Sequence, residues 1–127
     1  MASQSNQTPI NINMEYLCQY WIDSYEEQQR PDGEEIYRPQ GFKVFEPSRR
    51  RGAYIFHKNG DCEWLCTAPD DHLYFESGQW RVDPNDKSVL QIEQYFATKH
   101  FITLTYRVVE LTKDILRMVL LHYVKAA

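Results

Sequence analysis

The densest group of chemically active side chains in this sequence is basic. Arg49 and Arg51 belong to a run of three arginines, and Arg38 stands earlier in the chain. Guanidinium groups bind carboxylates and phosphates through paired hydrogen bonds, and Pro39 and Pro47 restrict the backbone nearby. The group therefore predicts a site for an anion. The alternative is a solvated loop that offsets the acidic residues of a chain with a net charge of −4.

The cysteines and histidines do not follow a metal-binding pattern. Cys62 and Cys66 lie on one predicted strand, about 13 Å apart by strand rise, which is too far for one metal ion or for a disulfide. No second pair of ligands follows, and the Gly-x-Ser-x-Gly signature of hydrolases is absent from the sequence. We predict no metal, no cofactor and no assigned catalytic residue.

Most carboxylates lie in predicted turns or in acidic pairs, such as Glu34-Glu35, which indicates a solvated surface. Asp23, Glu76 and Glu110 are exceptions, because they fall within predicted strands. If one of them were buried, desolvation would raise the pKa of its carboxyl group. That residue would then be the first candidate for catalysis.

Eight predicted strands have to position these groups. Four of them, at residues 72–83, 88–96, 101–111 and 115–124, are rich in β-branched and aromatic residues and are joined by short polar links. Asn59-Gly60 is a strong hairpin signal between strands at residues 51–57 and 62–67. Two earlier strands are predicted at residues 21–27 and 35–38.

The predicted fold class is all-β. An up-and-down antiparallel sheet of eight strands most naturally closes into a single barrel, because closure removes the exposed edges. We predict a flexible tail at residues 1–13 and one barrel domain at residues 14–127, which begins with a short helical turn.

Alternation along the strands indicates which side chains point into the barrel. For the strand at residues 72–83, alternation does not decide which face points inward. One face carries Tyr74 and Trp80, and the other carries Leu73 and Phe75. A barrel of eight strands is just wide enough for its own side chains or for one small ligand, so an amphipathic pocket and a solid core are both open. The aromatic residues predicted to bind a ligand in the lumen are Tyr54, Phe56, Tyr74, Trp80 and Tyr106.

Several short motifs resemble the lipocalin-like branch of the calycin superfamily, especially its small bacterial members. They are Trp21 after a helical turn, the Asn59-Gly60 hairpin, Gly78-Gln79-Trp80 and the closing hairpin at residues 106–116. The resemblance implies that Trp21 closes one end of the barrel and that the lumen binds a hydrophobic small molecule. We also expect Arg107 or Arg117 to lie across the Trp21 ring. The chain departs from the family pattern in having no glycine two residues before Trp21.

The favoured function is therefore binding of a small, largely hydrophobic molecule in the lumen, with any anionic group held by Arg38, Arg49 or Arg51. The alternatives are an enzyme of isomerase or cyclase type and an interaction module with a filled core. The negative net charge disfavours nucleic-acid and membrane partners.

Location and assembly are predicted from other features. The sequence has three cysteines, and it begins without the basic and apolar regions of a signal peptide. Both features predict a reduced cytoplasmic protein. The strand at residues 115–124 is apolar on both faces, so either residues 14–20 or a second copy must cover its outer face. We predict a homodimer.

Overall fold

The computed structural model describes residues 10–28, 33–47, 51–95 and 101–126. A short helix, α1 (Met14–Leu17), precedes the first strand, and a 3₁₀ turn (Tyr25–Glu27) follows that strand. The strands are β1 (Tyr20–Asp23), β2 (Glu34–Pro39), β3 (Ala53–Phe56), β4 (Asp61–Thr67), β5 (Leu73–Val82), β6 (Val89–Tyr95), β7 (Phe101–Leu111) and β8 (Leu116–Ala126).

The eight strands form one closed antiparallel barrel, which confirms the predicted fold class. Five consecutive hairpins join β3 to β8 in sequence order. The turn between β3 and β4 contains the predicted Asn59-Gly60, and the φ angle of Gly60 is +95°, a left-handed conformation that glycine adopts without strain.

The strand order departs from the sequence order at one place. β1 lies between β2 and β3, so β2 closes the barrel against β8. Because β2 and β3 both run antiparallel to β1, they are parallel to each other, and a tight hairpin cannot join them. The chain instead returns alongside β1, from Gln40 beside Tyr20 to Gly52 beside Asp23, and we call residues 40–47 and 51–52 the crossover segment.

The first strand is shorter than predicted. The predicted strand at residues 21–27 ends at Asp23, and a 3₁₀ turn takes its place from Tyr25. Ser24 is fully buried, and its hydroxyl donates to Glu27 Oε2 at 2.7 Å. Such local side-chain hydrogen bonds compete with strand pairing, which explains why the alternating pattern does not continue as a strand.

One end of the barrel is closed by α1. Leu17 and Trp21 are both fully buried, and the Trp21 indole donates to the Leu17 carbonyl oxygen at 2.8 Å. Ile10 and Ile12, which belong to the predicted tail, pack against the same core. Trp21 therefore lies at a closed end, as the resemblance implied.

Arg107 and Arg117, the two arginines expected to lie over the Trp21 ring, have other partners. Arg117 donates to Glu34 and Glu110, on the outer wall of the barrel, and Arg107 lies near Asp86. α1 closes the end of the barrel and leaves the outer face of β8 uncovered, with Leu121 and Val124 about half exposed. The homodimer stays a prediction.

Candidate functional site

The pairing of neighbouring strands identifies the residues that face the barrel interior. Directly opposite residues of paired strands point to the same face of a sheet. Trp80 is opposite Ile92, Ile92 is opposite Leu104, and Leu104 is opposite Tyr123. Because Ile92 is fully buried, these four positions all face the lumen.

Exposure of the inward-facing residues differs sharply between the two ends of the barrel. Near α1, Trp21 and Leu116 are fully buried. At the opposite end, Tyr74 is 39% exposed and Tyr123 is 61% exposed, although both occupy inward positions. The lumen is therefore open to solvent at the end opposite α1, which we call the open end.

The wall between the core and the open end is mainly apolar. Trp64, Leu104 and Leu120 are partly buried and pack against the buried cluster. All three occupy inward positions, since they pair with Tyr54, Ile92 and Tyr106, respectively. An apolar molecule that entered here would contact these side chains.

A polar cluster lies inside the barrel, beside this apolar wall. The Tyr37 hydroxyl donates to Glu35 Oε1 at 2.8 Å, and the Tyr106 hydroxyl donates to Glu35 Oε2 at 3.2 Å. The Gln94 amide donates to the Tyr54 hydroxyl at 2.8 Å, and Tyr54 in turn lies close to Tyr106. We call these five residues the lumen polar cluster.

Burial controls the protonation of this cluster. It raises the pKa of Tyr37, Tyr54 and Tyr106 above the ordinary value of tyrosine, so their hydroxyls stay protonated and can donate. Burial also raises the pKa of the Glu35 carboxyl group, and the hydrogen bonds from Tyr37 and Tyr106 act in the opposite direction.

The inward positions of the described strands carry more acids than bases. Asp23 is opposite Tyr37, and Glu76 is opposite Trp64, so both face the lumen together with Glu35. The sequence singled out Asp23, Glu76 and Glu110 because they fall within predicted strands, and of these Glu110 pairs with Arg117 on the outer wall. The one base at an inward position of these strands is Lys125, near the end of β8.

The arginines predicted to hold an anion serve another purpose. Arg51 uses all five of its N–H groups: they donate to both oxygens of Glu26, to the Asp23 carbonyl and twice to the Glu46 carbonyl. Its guanidinium group also stacks on the Tyr25 ring, 4.9 Å from the ring centroid.

Arg38 is engaged in the same way. It donates to both oxygens of Glu27, at 2.9 and 2.7 Å, and to the Asp114 carbonyl. Arg38 and Arg51 both lie outside the lumen and fasten the 3₁₀ turn and the crossover segment to the barrel wall. They do not form the predicted anion site, because carboxylates of the chain itself occupy them; Arg49 lies outside the described residues.

These ion pairs predict a loss of stability in acid. Pairing with Arg51 and Arg38 lowers the pKa of Glu26 and Glu27 to about 2, from 4.5. A lowered pKa contributes stability that is present above pH 4.5 and is lost as the pH falls towards 2. We expect the urea midpoint to fall across this range.

The variant Glu27→Gln should weaken that pH dependence and lower the free energy of unfolding at pH 7 by about 1 kcal/mol. The control is Glu46→Gln, at an exposed position of the crossover segment. A pH dependence that is the same in both variants would contradict the assigned role of Glu27.

The predicted ligand-binding aromatics are mostly brought together. Tyr54, Phe56, Trp80 and Tyr106 are buried in the lumen, and the Trp80 indole donates to the His57 carbonyl at 2.9 Å. Tyr74 lies apart from them, at the open end.

Sequence reasoning missed Glu35, Tyr37 and Gln94. The available signal was alternation within β2, which places Glu35 and Tyr37 on the same face. Within the described part of the chain, no group of three or more histidine, cysteine, aspartate or glutamate residues is arranged to hold a metal ion.

Fold and site together define a class: an eight-stranded antiparallel barrel closed at one end, with a polar cluster inside. Comparisons with protein-family models, curated proteins and solved structures find no match.

Lipocalins have up-and-down strand order, and the exchange of β1 and β2 departs from it, so the lipocalin-like resemblance remains a proposal. Among the described residues, no helix has the length and apolar character needed to cross a membrane.

Proposed function

We propose that this protein binds a small, largely hydrophobic molecule in the barrel lumen and that the molecule enters at the open end. The observation that carries the proposal is the exposure of inward-facing Tyr74 and Tyr123, while Trp21 and Leu116 at the other end are fully buried. If side chains filled this end as they fill the other, Tyr74 and Tyr123 would be buried as Trp21 and Leu116 are. The open end thus argues against the interaction module with a filled core.

The lining supports a ligand with an apolar body. Small-molecule sites are commonly apolar, with a few polar groups that fix orientation. Here Trp64, Leu104 and Leu120 form the wall, and the lumen polar cluster supplies the few polar groups. The resemblance to lipocalin-like proteins and a cytoplasmic location are parts of this proposal. An anionic group held by Arg38 or Arg51 is not.

The test uses a neutral fluorescent probe, N-phenyl-1-naphthylamine, and two adjacent substitutions on β7. Leu104 faces the lumen and Thr103 faces outward, because successive strand residues alternate. Leu104→Asp should weaken probe binding at least tenfold, since a short charged side chain in the apolar wall must be desolvated by the ligand. Thr103→Asp, the matched control, should change it less than twofold. Equal effects of the two substitutions would contradict a lumen site.

A second candidate, an enzyme of isomerase or cyclase type, is favoured by one observation. Glu35 is a largely buried carboxyl group, with a raised pKa and two tyrosine hydroxyls on its oxygens, inside the lumen. Such a group can serve as a general acid or base. Mass spectrometry of a bound molecule before and after incubation separates the two functions, because a carrier returns its ligand unchanged.

A further inference from the structure

We propose that the lumen recognises a primary ammonium group at the head of an apolar chain and that Glu35 binds this group. The inference rests on the proposed function and specifies its ligand class. It follows from three features: the hydrogen bonding of the Glu35 carboxylate, the charges that face the lumen and the position of the apolar wall.

The Glu35 carboxylate has acceptor capacity left for a ligand. Each of its two oxygens accepts one hydrogen bond, from Tyr37 and from Tyr106. A carboxylate offers about four acceptor sites, so about two are left for N–H donors. An ammonium group carries three donors and a positive charge, which suits this vacant capacity.

Glu35 also lacks a cationic partner within the part of the chain that the structure describes. There, no lysine, arginine or histidine lies at ion-pair distance from it. Its neighbour in sequence, Glu34, has such a partner: it receives two hydrogen bonds from Arg117 on the outer wall. The two adjacent glutamates thus have opposite surroundings, and the one that faces the lumen would gain most from a cation.

The surrounding charges favour the same ligand. Asp23 and Glu76 also occupy inward positions, and the described strands place just one base, Lys125, on this face. Attraction between opposite charges is stronger where water is excluded than in bulk solvent. A cationic head is therefore favoured and an anionic head is disfavoured.

The apolar wall is positioned for the rest of the molecule. Met118 lies opposite Glu35, and Tyr123 lies at the open end of the same strand. By strand rise, these two residues are about 16 Å apart, a distance comparable to the length of an alkyl chain of medium length. Leu104 and Leu120 line the path between them.

The experiment compares three probes that share a ten-carbon chain: decylammonium, decanol and decanoate. Each displaces N-phenyl-1-naphthylamine from the full-length chain at pH 7.5. Decylammonium should bind at least tenfold more tightly than decanol, and decanoate should bind more weakly than decanol. If decanol binds and decylammonium is no tighter, this inference is overturned and the proposed function stands. If no probe binds, both are overturned.

Two variants test the role of Glu35 itself. Glu35→Gln should weaken decylammonium at least tenfold and leave decanol within twofold. The matched control, Glu63→Gln on the outer wall, makes the same charge change and should alter none of the three affinities. If Glu35→Gln does not fold, Glu35→Asp retains the charge but withdraws it by one methylene, and it should weaken decylammonium severalfold. An unchanged affinity in whichever variant folds would overturn the assignment.

Discussion

Replacing Trp21 with alanine is expected to lower the free energy of unfolding by about 3–5 kcal/mol. The ring is fully buried at the closed end of the barrel, in the same core cluster as Leu17. Alanine would leave a cavity there, and the Leu17 carbonyl would lose the hydrogen bond that it accepts from the indole at 2.8 Å. Urea unfolding followed by circular dichroism measures the loss.

Trp64→Ala provides the matched control, because Trp64 also faces the lumen but is partly exposed near the open end. It should cost clearly less than Trp21→Ala, since less apolar surface is removed from the core. Trp21→Phe should retain most of the packing and lose mainly the indole hydrogen bond, at a cost of about 1 kcal/mol. Equal losses in the two alanine variants would mean that α1 and Trp21 do not close the barrel.

The strand order of the barrel could not be predicted from local patterns. Runs of β-branched and aromatic residues, with the Asn59-Gly60 turn, were sufficient to predict eight antiparallel strands and closure. The exchange of β1 and β2 depends on a strand of only four residues and on the crossover segment, which carries no regular pattern of its own. Its position follows from contacts between residues distant in sequence.

The arginines were misassigned for a related reason. Arg38 pairs with Glu27, eleven residues away, and Arg51 pairs with Glu26, twenty-five residues away. Nothing in the spacing of these residues along a strand or helix indicates that they meet. They meet because the crossover segment and the 3₁₀ turn both lie against the outside of β1. The failure to predict the strand order and the failure to predict the pairing of these arginines therefore have one cause.

The open end of the lumen depends on unequal strand lengths. β7 and β8 have eleven residues each, whereas β1 and β3 have four each, so the long strands extend beyond the short ones. The inward residue Tyr123 is exposed at this end, where β2, the other neighbour of β8, pairs with it only as far as Val119. Strand ends are poorly defined by sequence, which is why the sequence left a pocket and a solid core equally open.

Gly78→Ala should destabilise the barrel by about 3 kcal/mol or more, because β5 and β6 approach too closely there for a side chain. A Cβ atom at Gly78 would lie 2.2 Å from the Glu93 carbonyl oxygen and 3.2 Å from Cys62 Sγ. The carbonyl belongs to the strand backbone and cannot move without loosening the pairing of β5 with β6. Ser77→Ala, at the adjacent exposed position, is the control and should change stability by less than about 0.5 kcal/mol. If urea unfolding gave both variants the wild-type midpoint, the close contact between these two strands would be disproved.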